Sequence, residues 1–184
     1  PGATLLLIIA VTLLRMFPVR LSKYSYLTQS VVPTAVGALA VGPAASVAAL
    51  FVGTMAADTL WLRKPQRVGL INAGREVIAF TAAFGVYAAV YRASGKPGLS
   101  ADLFPAAFSF AAAYFLASRT LFYFTLLVRD KLEEAERLLI LRWEVVAFLL
   151  SLGAVAVAIT ALTTLAPLGW VAVFGTLVAV GLLA

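Results

Sequence analysis

Apolar stretches long enough to fill, or nearly fill, a lipid hydrocarbon core follow one another along almost the whole chain, and little else is left over. A core of about 30 Å needs about 20 apolar residues in a helix. Measured that way, seven segments stand out, at residues 3–17, 29–41, 44–61, 69–91, 103–128, 144–165 and 168–184. Hydrophobic residues make up 63% of the 184 and charged residues 12%. A soluble domain carries roughly 25% charged residues and could not cover such an excess of apolar surface. The fold expected is all-α: a polytopic integral membrane bundle of six or seven transmembrane segments, forming one domain over residues 1–184. Both ends run through apolar sequence without a polar flank, which suggests a portion of a longer chain.

Charge placement orients the bundle. If all seven segments span, Arg20, Lys23, Arg63, Lys64, Arg67, Arg129, Lys131, Arg137 and Arg142 share one side, and only Arg92 and Lys96 fall on the other. Basic loops mark the cytoplasmic face. The N-terminus is then outside and the C-terminus cytoplasmic. The net charge of +6 follows from this loop placement, with anionic lipid headgroups as its natural partner. No basic helix stands apart from the membrane to read bases, so nucleic acid is not an expected partner.

The second segment is short, about 13 residues or roughly 20 Å. Gly42-Pro43 breaks the helix after it, because proline lacks a backbone donor and disfavours a helical residue before it. A tight helical hairpin is the favoured reading, and a re-entrant piece buried in protein is the other.

Absent residue types exclude several chemistries. The chain has neither cysteine nor histidine, which removes disulfides, thiolate catalysis and the commonest ligands of haem and zinc. No nucleophile–base pair, phosphate-cradling glycine loop or metal cluster is visible. No catalytic residue, metal or cofactor is expected, and the chain is read as non-enzymatic.

Ionisable residues inside apolar segments are costly, and are therefore usually paired or functional. Asp58 lies about 8 Å from the end of its segment, Arg75 and Glu76 roughly 12–14 Å in from Arg67, and Arg119 about 15 Å in from Arg129. Glu76 and Arg119 therefore reach similar depth on neighbouring segments and are expected to form a buried ion pair. Asp58 and Arg75 lie nearer the surface, and Asn72 joins the cluster one turn before Glu76. The cluster reads either as a structural clamp that fixes helix register, or as a proton, ligand or signalling site.

Ala45, Ala49, Gly53 and Ala57 place a small residue on every turn of the third segment, and Ser109, Ala113 and Ala117 do so in the fifth. Such stripes allow close helix packing, within the bundle or against another subunit or second copy of the chain as a homodimer. In the run from 129 to 144, Glu133 and Arg137 stand in the favourable i,i+4 order. With Glu134 and Arg142 they form either a solvated helical extension or a lever and docking surface for a cytoplasmic partner. The aromatics Tyr87, Tyr91, Phe104, Phe108, Phe110, Tyr114 and Phe115 either pack and face lipid, or line a pocket for a flat apolar ligand.

The order PVRLSKYSYLTQS, VGPAASVAALFVGTMAADTLWLRKP, INAGREVIAFTAAFGVYAAVY and YFLASRTLFYFTLLV, closing on TTLAPLGWVAVFGTLVAVGLLA, resembles the N-terminal membrane module of some bacterial cyclic-dinucleotide signalling proteins. There the module precedes cytoplasmic HD-GYP phosphodiesterase or GGDEF cyclase domains. The resemblance implies a sensory or anchoring module in the bacterial inner membrane, coupled to a cytoplasmic output domain that these residues do not include. It implies an asparagine where Asn72 stands. It also implies one after the aromatic pair of the fifth helix, where this chain has Ser118-Arg119 and so departs from the pattern. A second reading is a structural accessory subunit of a photosynthetic or respiratory complex, working through other membrane subunits. A third is a small-molecule-binding transporter component: the Gly-Pro break before a small-residue helix is similar to vitamin-binding components of energy-coupling-factor transporters, though no polar outer loop suits a soluble vitamin.

Overall fold

The computed structural model describes residues 2–17, 19–20, 26–27, 30–95, 101–127 and 134–164. These are helical apart from short turns and one two-residue antiparallel ladder. The helices are α1 (Gly2–Met16), α2 (Val31–Ala40), α3 (Pro43–Ala56), α4 (Gln66–Ala93), α5 (Phe104–Leu127) and α6 (Glu134–Thr164). A π-helical turn, Ala57–Trp61, continues α3, and a 3₁₀ turn, Ala101–Leu103, leads into α5. The ladder joins β1 (Val19–Arg20) to β2 (Tyr26–Leu27), with Val19 opposite Leu27. The apolar segment at 168–184 lies outside the described residues.

Among the described residues, two helices are long and apolar enough to cross a membrane: α3 with its π-turn, Pro43–Trp61, and α4, whose 28 residues rise about 42 Å. The ten residues of α2 reach only about 15 Å, half of a hydrocarbon core. Gly42 takes a φ of +116°, a conformation that disfavours any residue with a Cβ. Pro43 then starts α3 at its first turn, where its missing donor costs nothing. The two helices form a tight hairpin, and a Cβ on Gly37 would meet Ser46 Oγ at 2.7 Å.

The core is built from helix faces with a period of 3.6. On α1, Leu7, Val11, Leu14 and Arg15 point inward, while Leu5 and Leu6 are 58% and 69% exposed. Gly53 brings α3 onto this stripe: an added Cβ would stand 2.8 Å from Val11 Cγ1 and 3.2 Å from the Ile8 carbonyl. Ala49 and Ala57 are buried beside it and Ala45 is half-buried. The small-residue stripe of α3 therefore packs within the bundle. Helix α4 packs along α5 through Ala79, Phe80 and Ala83 against Ala107, Phe110 and Ala111. Phe80 meets Phe110 edge-on at 5.6 Å between centroids, a favoured aromatic geometry. Helix α6 joins through Val155 and through Phe148, 4.8 Å from Phe115.

Candidate functional site

One end of the bundle holds a connected set of charged and polar side chains drawn from α1, the π-turn, α4 and α5. Its centre is Asp58, which is fully buried. The π-turn places it there. Leu62 N–H donates to the Ala57 carbonyl at 2.9 Å, and Lys64 N–H to the Asp58 carbonyl at 2.8 Å. These are wider rings than an α-helix makes, and such turns recur at functional positions. Arg63 closes the turn in the left-handed region, with φ of 50°, and Pro65 caps the start of α4. Gly69 lets α4 approach, since a Cβ there would meet Thr59 Cγ2 at 2.9 Å.

Four donors converge on the Asp58 carboxylate. Arg15 grips it with two bonds, Nε to Oδ1 at 3.0 Å and Nη2 to Oδ2 at 3.2 Å. Lys64 Nζ adds a bond to Oδ1 at 3.1 Å, and Asn72 Nδ2 one to Oδ2 at 2.6 Å. A carboxylate has about four acceptor sites, so Asp58 is saturated. Paired guanidinium–carboxylate bonds are the stronger, geometrically specific kind. They offset the cost of burying both charges, which an unpaired ion could not bear.

The network continues outward on both sides. Arg15 Nη1 also reaches Glu76 Oε1 at 3.4 Å, and the buried Tyr114 hydroxyl donates to Glu76 Oε2. Arg75 Nη1 donates to Asn72 Oδ1 at 3.4 Å, and its guanidinium lies 5.0 Å from the Phe122 ring centroid. One arginine on α1 thus bridges two carboxylates on different elements, and a tyrosine on α5 completes the chain.

Of the residues expected to cluster, Asp58, Asn72, Arg75 and Glu76 are brought together. The expected Glu76–Arg119 ion pair gives way to Arg15 and Tyr114 as the partners of Glu76. Arg119 instead holds its guanidinium 5.6 Å from the Phe115 ring centroid. The reason is angular. Arg119 follows Tyr114 by five residues, about 140° around α5 at 3.6 residues per turn, so both cannot face Glu76. Sequence reading missed Arg15, Lys64 and Tyr114. Arg15 was legible in principle: Leu7, Val11 and Arg15 recur every fourth residue and share one face of α1.

Arg142 is exposed on α6, and the backbones of Glu134 and Arg137 belong to the same helix. Glu133 and the side chains of Glu134 and Arg137 lie outside the described residues. Tyr87 stacks on Tyr91 at 5.5 Å, and Phe84 on Phe80 at 6.0 Å. A small apolar cavity opens among Ala35, Ala38, Tyr87, Ala107 and Phe110.

No family model, curated protein or solved structure matches this chain.

Proposed function

We propose that this chain is a non-catalytic, multi-pass membrane module of six or seven spanning segments. Its role is sensory or anchoring, in a bacterial inner membrane with its C-terminus cytoplasmic, and it couples the membrane to a cytoplasmic output domain. The observation that carries this reading is the charged layer itself. Arg15, Asp58, Asn72, Glu76 and Tyr114 tie four elements together at the end of the bundle where the basic residues Arg63 and Lys64 of the turn and Arg67 of the first turn of α4 lie. Large apolar side chains meanwhile stay exposed elsewhere: Leu6 at 69%, Ile78 at 58% and Leu149 at 60%. That combination suits helices with lipid around them, since lipid tails solvate apolar faces and leave charge to find charge inside the bundle.

A network of this kind also suits signal transmission. It joins helices through one connected set of bonds, and its centre sits on a π-turn, a distortion that recurs at functional positions. The resemblance to membrane modules of cyclic-dinucleotide signalling proteins adds to this reading.

The test is the intact mass of the protein extracted mildly from its native membrane, together with whatever co-purifies. A mass well above 19.4 kDa supports a module joined to an output domain. A mass near that value with stoichiometric membrane partners makes it an accessory subunit instead. Topology is checked by single cysteines at Val41 and Ser94, next to the two turns. Both are expected to label from outside, and labelling of Val41→Cys only from the cytoplasm would overturn the arrangement.

A further inference from the structure

The turn between α3 and α4 joins the two helices that are long and apolar enough to cross a membrane. The π-turn stops at Trp61 and α4 starts at Gln66, so residues 62–65 make the connection. Apolar and cationic side chains stand together at this corner. Leu60, 80% exposed, is the most exposed large apolar side chain among the described residues, and Trp61 beside it is 55% exposed. Phe17, just after α1, packs on the Trp61 ring at 6.1 Å between centroids. Arg63 and Arg67 are exposed as well, and no acidic residue occurs from 59 to 75. Lys64 is bound to Asp58, whereas neither arginine has a carboxylate partner among the described residues.

Both arginines occupy positions where backbone physics favours other residues. Arg63 takes a left-handed φ of 50° at a helix end, where glycine is preferred and a Cβ is disfavoured. Arg67 lies in the first turn of α4, which has no acidic residue, and the positive end of a helix dipole disfavours a cation there. Folding of the turn therefore explains neither arginine. What the two share is exposure beside Leu60 and Trp61, at the corner where both candidate spans end. In a bilayer that corner stands at the headgroup level, which tryptophan favours and where basic residues are drawn to anionic lipid.

We propose that the corner from Leu60 to Arg67 docks onto anionic phospholipid, with Arg63 and Arg67 on the headgroup phosphates and Leu60 and Trp61 among the upper acyl chains. This docking rests on the membrane reading above. The two fail separately: a chain that stays dispersed without detergent defeats that reading, whereas an extracted chain indifferent to lipid charge defeats the docking alone.

The experiment titrates the full chain in detergent with phosphatidylglycerol or phosphatidylcholine and counts retained lipid by native mass spectrometry. Phosphatidylglycerol is expected to be held about twentyfold more tightly at low salt, with the preference falling as salt rises. Arg63→Gln and Arg67→Gln each reduce the preference about fivefold, the equivalent of about 1 kcal/mol. Arg92→Gln removes the same charge at the opposite end of α4, where the side chain is exposed, and leaves the preference unchanged. Arg63→Gly separates binding from folding. It relieves the left-handed backbone, so the unfolding midpoint holds or rises while the preference for phosphatidylglycerol falls. Equal retention of the two lipids overturns the docking. So does a preference that survives the double substitution of Arg63 and Arg67 to glutamine, or one that Arg92→Gln weakens equally. An acidic protein that co-purifies, is released only by the arginine variants, and is accompanied by no lipid preference overturns it in favour of that partner.

Discussion

The two ends of the α4–α5 pair are held together by different physics. Near the start of α4, contact to its neighbours runs through Asp58, Asn72, Glu76, Arg15 and Tyr114, each bond with a fixed donor and acceptor. Further along, Phe80, Ala83, Ala107, Phe110 and Ala111 meet through shape alone. In lipid, apolar contact between helices has little solvophobic drive, and small or interlocking residues supply it by close packing. Such contacts tolerate sliding, whereas a saturated carboxylate does not. The charged end therefore sets register, and the aromatic end fills volume around it.

The sharpest way to break that contrast is to unbalance Asp58. Asp58→Ala leaves Arg15 buried at 9% exposure with half its partners gone, and removing one member of a buried pair costs about 3–5 kcal/mol. A large fall in unfolding midpoint in detergent is expected. The double substitution of Arg15 and Asp58 to leucine removes both charges and should recover much of that loss. Equal instability of single and double variants would mean that the pair is not the element holding α1 to the π-turn.

Tyr114→Phe is expected to cost less, about 1.5–3 kcal/mol, since it deletes one bond to a charged acceptor and keeps the ring. Its stacking on Phe110, 6.0 Å between centroids, survives the change. Tyr114 is where the two regimes meet, with the ring in the aromatic layer and the hydroxyl in the charged one. A neutral outcome would place Glu76 wholly under the control of Arg15.

Much of the architecture was legible in the sequence, because long apolar runs and their breakers are one-dimensional signals. The Gly42-Pro43 break and the starts of α3 and α4 fall close to where the residues put them. The cluster was legible only in part. Depth along a helix follows from counting residues, so Glu76 and Arg119 could be placed at similar levels, with Asp58 and Arg75 nearer the surface. Which way each side chain faces depends on rotation about the axis, and the extra residue in the π-turn shifts that rotation for Asp58. Arg15 and Lys64 escaped notice because a charge at a helix end already has an ordinary explanation, at the interface. The charged run at 129–144 was readable as helical; its residues from Glu134 onward belong to α6, which runs to Thr164, and 129–133 lie outside the described residues.

The finest test separates glycines that allow close approach from those that do not. Gly53→Ala would push a methyl to 2.8 Å from Val11 Cγ1, with the Ile8 carbonyl at 3.2 Å behind it. Backbone cannot step aside as a side-chain tip can, so overpacking of about 1–3 kcal/mol is expected. An added Cβ at Gly74 or Gly85, both on α4, meets nothing within 4 Å. There Gly→Ala restricts the unfolded chain and favours helix, a gain of about 0.4–1 kcal/mol. The three substitutions change the same atoms in helical backbone, so intrinsic propensity cancels between them. A loss at Gly53 beside small gains at Gly74 and Gly85 would assign the difference to the contact of α3 with α1. That contact holds the α1 face carrying Arg15 against the element carrying Asp58, so the close packing at Gly53 is also a condition for the ion pair one turn beyond it.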